Sequence, residues 1–130
     1  MPFREAAAEA QGIVRVVVTG DVDSAPTFKV VEVIRGKDVP KSILVSSLLW
    51  SIHRPKDLPA GDVTYLVLLR QGEELLCGHM NGLIIASHTC TGLLPVIGDA
   101  IPKEYANRYD GESTQAIEMK QVRRELRRRN

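Results

Sequence analysis

Thr27-Phe28-Lys29-Val30-Val31-Glu32-Val33-Ile34-Arg35-Gly36 is the stretch from which the fold is read. Simple alternation puts Phe28, Val30 and Glu32 on one face of a strand and Val31, Val33 and Arg35 on the other. Both faces are therefore at least half apolar until Gly36 ends the run. Such a strand belongs inside a curved sheet, and a buried Val31 in it would lose about 1 to 3 kcal/mol on truncation to alanine. Upstream, Ile13 to Val18 is a β-branched run broken only by Arg15, the composition of a buried strand. Asp23-Ser24-Ala25-Pro26 supplies turn chemistry between the two, so they form an antiparallel hairpin.

Further strands lie downstream. Ser42 to Trp50 reads as a third strand with an irregular middle, reached through Lys37-Asp38-Val39-Pro40. The segment from His53 to Gly61 carries two prolines and several charges and reads as an exposed loop. Val63 to Leu69 is the most apolar strand, of the kind covered on both sides. Glu74 to Gly78 and Leu83 to Ala86 flank Asn81-Gly82, a strong hairpin signal. Pro95 and Pro102 interrupt Gly92 to Tyr109, which reads as an irregular wrap over one end of the sheet. At the N-terminus, alanine-rich Phe3 to Ala10 favours about two turns of helix, acting as a lid. At the other end, Ser113 and Thr114 are candidate N-caps for a helix over Gln115 to Arg128, with a narrow apolar stripe of Ile117, Val122 and Leu126 beside Met119. That helix is expected to dock weakly.

The expected architecture is mainly β: one closed or partly open OB-type antiparallel barrel of five to six strands, with a C-terminal helix and a short N-terminal helical segment. Residues 1–11 form the helical lead-in, 12–110 the barrel and 111–130 the basic helix. A chain of 130 residues with 44% apolar and 25% charged residues suits a single core. Its net charge of +1 is unevenly spread: from Ser113 onward six basic residues face two acidic ones, leaving the tail at +4 and the remainder at −3. No apolar run of about 18 residues is present to form a spanning helix. Met1 to Ala10 contains Arg4, Glu5 and Glu9 and has no apolar h-region, so it does not read as a signal peptide. A periplasmic or secreted location is expected if a leader has been removed ahead of it; a cytoplasmic location is the alternative.

The order of a strand ending in Gly20-Asp21, then Phe28-Lys29-Val30-Val31-Glu32-Val33-Ile34-Arg35-Gly36, then Ala60-Gly61 ahead of Tyr65-Leu66-Val67-Leu68-Leu69, resembles small bacterial domains related to the tissue inhibitors of metalloproteinases and to netrin-like modules. The resemblance covers roughly Ile13 to Cys90 and implies a five-stranded OB-type barrel with a terminal helix. In the animal inhibitors an N-terminal cysteine presents its amino group and carbonyl to the protease zinc. This chain begins Met-Pro-Phe-Arg and has no cysteine before Cys77, so that activity is not carried over.

Local chemistry is sparse. Cys77-x-His79 and His88-x-Cys90 are two pairs of strand neighbours that each share a face, and two cysteines with two histidines make a tetrahedral zinc set. Against zinc stands the register about Asn81-Gly82: position 79 faces 84 and 77 faces 86, leaving His88 and Cys90 displaced. A disulfide between Cys77 and Cys90, worth on the order of 3 kcal/mol, and two separate thiols are the other readings. Ser51 precedes His53 by two residues, but no nucleophile elbow, phosphate-binding loop or dinucleotide fingerprint surrounds them. An enzyme is therefore not the expectation, and no cofactor is expected.

Binding remains. Trp50, Ile52 and His53, at the end of the third strand, form a candidate recognition patch for another protein or a small ligand, with Trp50 serving either as that or as a core anchor. Arg123, Arg124, Arg127, Arg128 and Arg129 are the candidate contacts of a single-stranded nucleic acid. Six aromatic residues in the whole chain are few for base stacking, and a solvated helix end whose cations suit the C-terminal dipole is the competing explanation. The leading expectation is a non-enzymatic interaction or ligand-binding module, with single-strand nucleic-acid binding and zinc binding as alternatives.

Overall fold

Valine-rich β1 (Gly12–Asp21) and β2 (Ala25–Gly36) form one long antiparallel hairpin, and every other strand is added to its flanks. The computed structural model describes residues 2–21, 25–37, 39–44, 63–71, 79–80, 83–85 and 93–127. On the β2 side lies β3 (Ser42–Leu44); on the β1 side lies β4 (Val63–Gln71), succeeded by β7 (Leu93–Ile97), β8 (Ala100–Ile101) and β9 (Ile117–Glu118). The short strands β5 (His79–Met80) and β6 (Leu83–Ile85) pair with each other, and β6 pairs with β4. Three helices complete the described chain: α1 (Phe3–Ala7), α2 (Lys103–Asp110) and α3 (Met119–Arg127).

Among the described residues the sheet is antiparallel and does not close into a barrel of five to six strands. Its centre shows why. One edge of β4 pairs with β1, whereas the other is shared: β7 takes Val63 to Val67 and β6 takes Leu69 to Gln71. The sheet therefore forks, and one branch runs on through β8 and β9. No backbone pairing joins β3 to β5 among the described residues.

β4 carries the core. Tyr65 to Leu69 are all buried, as an apolar run without alternation requires. Leu66 and Leu68 face the helices with Ile13, Ile34, Leu94, Val96 and Ile101. Tyr65, Val67 and Leu69 face the opposite layer with Val14, Val16, Phe28, Ile43 and Leu93. Phe3 and Ala7 of α1 and Met119, Val122 and Leu126 of α3 are fully buried against the first layer. Neither helix is a lid or a weakly docked appendage: each inserts its apolar stripe into the main core.

β2 departs from simple alternation through two bulges. Ile13 pairs with Arg35 but Val14 with Val33, and Arg15 pairs with Glu32 but Val16 with Val30. Ile34 and Val31 are the extra residues, and each reverses the side-chain parity of the strand beyond it. Phe28 and Val30 thus pack on the layer away from the helices, whereas Glu32 turns to the helix side and meets α3. Val31 is left 53% exposed, which overturns the expectation of a buried, organising valine. Val31→Ala is expected to change stability by less than about 0.5 kcal/mol, readable as an unshifted urea midpoint.

Arg35-Gly36 ends the strand for structural reasons. Arg35 Nη2 donates to the carbonyls of Ala7 and Ala10, at and just beyond the end of α1, and Nη1 donates to that of Leu126 in the last turn of α3. One guanidinium thereby adds donors at the ends of two helices, where main-chain donors run short. Gly36 has φ +127°, and a Cβ there would lie 2.9 Å from Gly12 Cα and from the Gln11 carbonyl oxygen. Only glycine fits.

Two segments take a different form from the one expected of them. Gly92 to Tyr109 contains β7, β8 and α2 rather than an irregular wrap. Pro95 pairs with Tyr65 at a point where β7 has a strand on one side only among the described residues, an edge position that tolerates a missing N–H. The terminal helix begins at Met119, not Gln115, because Ile117 pairs with Ile101 and Glu118 with Ala100. Ser113 does not cap it; its backbone N–H and hydroxyl donate to Asp110. The expected third strand is described only over Ser42–Leu44, and 45–50 lie outside the described residues.

Candidate functional site

α3 divides its side chains cleanly. Met119, Val122 and Leu126 recur at near-helical spacing and are buried, whereas Lys120, Arg123, Arg124 and Arg127 recur at i, i+3, i+4 and i+7 on another face. Along the axis they span about 10 Å, three levels of positive charge one turn or less apart. Together they line a shallow hollow of about 310 Å³.

The sheet anchors two of the four. Arg123 Nε donates to Glu32 Oε2 at 2.8 Å and Nη2 to Glu32 Oε1 at 3.1 Å, a bidentate fork on one carboxylate. Arg127 Nη2 donates to the same Oε2 at 3.3 Å. Beneath them Arg15, the lone charge in the valine run, pairs across the hairpin with Glu32, its Nη1 lying 3.8 Å from Oε1. Arg15 also donates from Nε to Thr64 Oγ1 at 2.8 Å, from Nη2 to the Gly98 carbonyl at 2.6 Å and from Nη1 to Asp99 Oδ1 at 3.3 Å. Asp99 lies in the β7–β8 turn and accepts from Arg123 at 3.5 Å. This network ties β1, β2, β4, the β7–β8 turn and α3 together.

Lys120 and Arg124 differ. Both are exposed, and neither has an ion pair or hydrogen bond among the described residues. Among the described residues the cluster sets five cations, Arg15, Lys120, Arg123, Arg124 and Arg127, against the two carboxylates of Glu32 and Asp99, a net +3.

Electrostatics mirror the contacts. The Arg123 hydrogen bond, opposed by partial burial and reinforced by the charges of Arg123, Arg15 and Arg127, holds the Glu32 carboxyl below its ordinary value of 4.5. The same contact raises Arg123. Because the folded value of Glu32 is the lower one, its stabilising contribution is complete above about pH 4.5 and is lost as pH falls through the folded value. Asp110 behaves alike: burial pushes it up, but hydrogen bonds from Ser113 and from the Glu112 and Ser113 backbone outweigh that and leave it lowered. The expected outcome is therefore a difference: below pH 4.5 wild type loses more stability than Glu32→Gln does, so their urea midpoints converge.

The other sequence-derived sites fare unequally. Trp50, Ile52 and His53 lie outside the described residues, as do Cys77, His88, Cys90, Arg128 and Arg129. His79 is placed only by its backbone, which pairs with Ile84, the register expected from the sequence. No group of three or more metal-ligating side chains occurs among the described residues, and no described helix is long and apolar enough to cross a membrane. Arg123, Arg124 and Arg127 do come together. Lys120, Arg15, Glu32, Asp99 and Thr64 were not anticipated as their neighbours, although Arg15, the one basic residue of β1, and Glu32, the one acidic residue of β2, were the legible signal of a cross-strand pair. No family model, no curated protein and no solved structure matches the chain.

Proposed function

We propose that the protein is a non-enzymatic binding module whose recognition surface is the outer face of α3 and whose partner is an anionic chain. The observation that carries this reading is the +3 cluster, in which Lys120 and Arg124 stand without counterions among the described residues while Arg123 and Arg127 are already held in place. A solvated helix end needs no such scaffold. The phosphate backbone of a single-stranded nucleic acid fits this surface, since guanidinium forks pair with phosphate. With no aromatic side chain lining the hollow among the described residues, recognition in this reading runs through the backbone rather than through base stacking.

The sheet in this reading is the described part of an OB-type barrel related to the bacterial inhibitor-like and netrin-like domains. Supporting it are the order β3-β2-β1-β4 and the approach of β5 to β3, with Cα atoms within 8 Å. Export belongs to the same proposal and rests on that kinship.

Fluorescence anisotropy with a labelled single-stranded oligonucleotide, and in parallel with polyglutamate, tests the binding claim. Binding at low salt that weakens roughly tenfold or more in the Lys120→Gln/Arg124→Gln variant is expected. Failure of both probes to bind at low salt, or an indifferent double variant, would sink it. Tighter capture of polyglutamate than of the oligonucleotide would reassign the partner to an acidic protein.

A further inference from the structure

The four cations of the hollow are not equivalent, and we infer a division of labour: Glu32 is a positioning residue that commits Arg123 and Arg127 to the scaffold, leaving Lys120 and Arg124 as the groups that contact the partner's anions. This rests on the reading of α3 as the recognition face. Arg123 gives the whole Nε–Nη2 edge of its guanidinium to the Glu32 carboxylate and reaches Asp99 as well. Arg127 gives Nη2 to the same carboxylate. An incoming phosphate would have to displace a carboxylate that three guanidinium groups already surround, counting Arg15. Lys120 and Arg124 face no such exchange. They are one turn apart on the helix, about 5 to 6 Å between Cβ atoms, and can reach two anionic groups of one chain.

Counterion release measures this directly, because the slope of log affinity against log salt for a single strand is about −0.7 per phosphate neutralised. A labelled single-stranded oligonucleotide is therefore titrated over a range of salt. The slope for wild type is expected near −1.4, two phosphates, rather than near −2.8, four phosphates. Lys120→Gln and Arg124→Gln should each remove about 0.7 from it, while Glu32→Gln frees Arg123 and Arg127 and should steepen it toward about −2.8. A purely structural role for Glu32 would leave the slope unmoved. Should Glu32→Gln fold poorly, the wild-type slope and the two single variants still decide the matter. A wild-type slope near about −2.8 that each single variant still lowers by about 0.7 overturns the division of labour while keeping α3 as the binding face, and single variants that leave the slope unchanged overturn both. No binding by wild type at low salt overturns both.

Discussion

Tyr109→Ala is expected to cost about 3 to 5 kcal/mol, the range for removing a buried aromatic ring, which is a large share of the stability of a domain this size. Tyr109 is among the largest fully buried side chains and lies where the three helices meet. Its ring stacks on Phe3 of α1 with centroids 6.2 Å apart, and its hydroxyl donates to Glu125 Oε1 of α3 at 2.7 Å. Arg4 lies over the ring at 5.9 Å and bridges to the same Glu125 oxygen at 3.5 Å. Burial first, and then the bond to Glu125, pushes the phenol well above its ordinary range. Tyr109→Phe keeps the ring and removes only the donor, with an expected loss of about 1 to 2 kcal/mol. Urea unfolding of both variants separates the ring from the hydroxyl; equal losses would mean that packing of the ring contributes little.

Arg15→Ala is the second large effect, about 2 to 4 kcal/mol, somewhat below the cost of breaking a fully buried pair. Its side chain is 15% exposed and feeds four acceptors in three segments: Thr64 in β4, Gly98 and Asp99 in the β7–β8 turn, and Glu32 in β2. Removing it leaves the Thr64 hydroxyl without this donor and Glu32 dependent on Arg123 and Arg127 alone. Arg15→Lys is expected to recover less than half of the loss, because an ammonium cannot reproduce the planar fork that points at these acceptors. Thermal or urea denaturation of both variants decides it, and full recovery by lysine would reduce Arg15 to a point charge.

The fold was partly legible, and the unread parts share a cause. β4 announces itself because a strand covered on both sides has no alternation to lose. The hairpin of β1 and β2 is equally plain, but its register is not. Continued without slippage from the pair Thr19 and Thr27, it would set Arg15 opposite Val31. The bulges at Val31 and Ile34 are backbone events with no residue signature, yet the one at Val31 brings Glu32 opposite Arg15 and onto the helix side. Closure into a barrel could not be judged from periodicity, because it depends on which partner takes which half of the β4 edge. Residues 117 and 118 were drawn into the helix by local propensity, which strand pairing with Ala100 and Ile101 overrides. In the site, the arginines of α3 were visible as a basic run. Their anchors were not, since Arg123 lies 91 residues from Glu32 and Arg15 lies 84 from Asp99. Charge in a sequence marks a surface; which charges are already paired is a property of the fold.

The central claim is that the outer face of α3 is where the partner lands, and backbone amide chemical shifts test it most directly. On titrating the protein with a single-stranded oligonucleotide at low salt, the largest perturbations are expected at Lys120 and Arg124, with smaller ones at Arg123 and Arg127, and to fade as salt is added. Perturbations centred on other residues, or none at all while the amides of α3 remain visible, would contradict it.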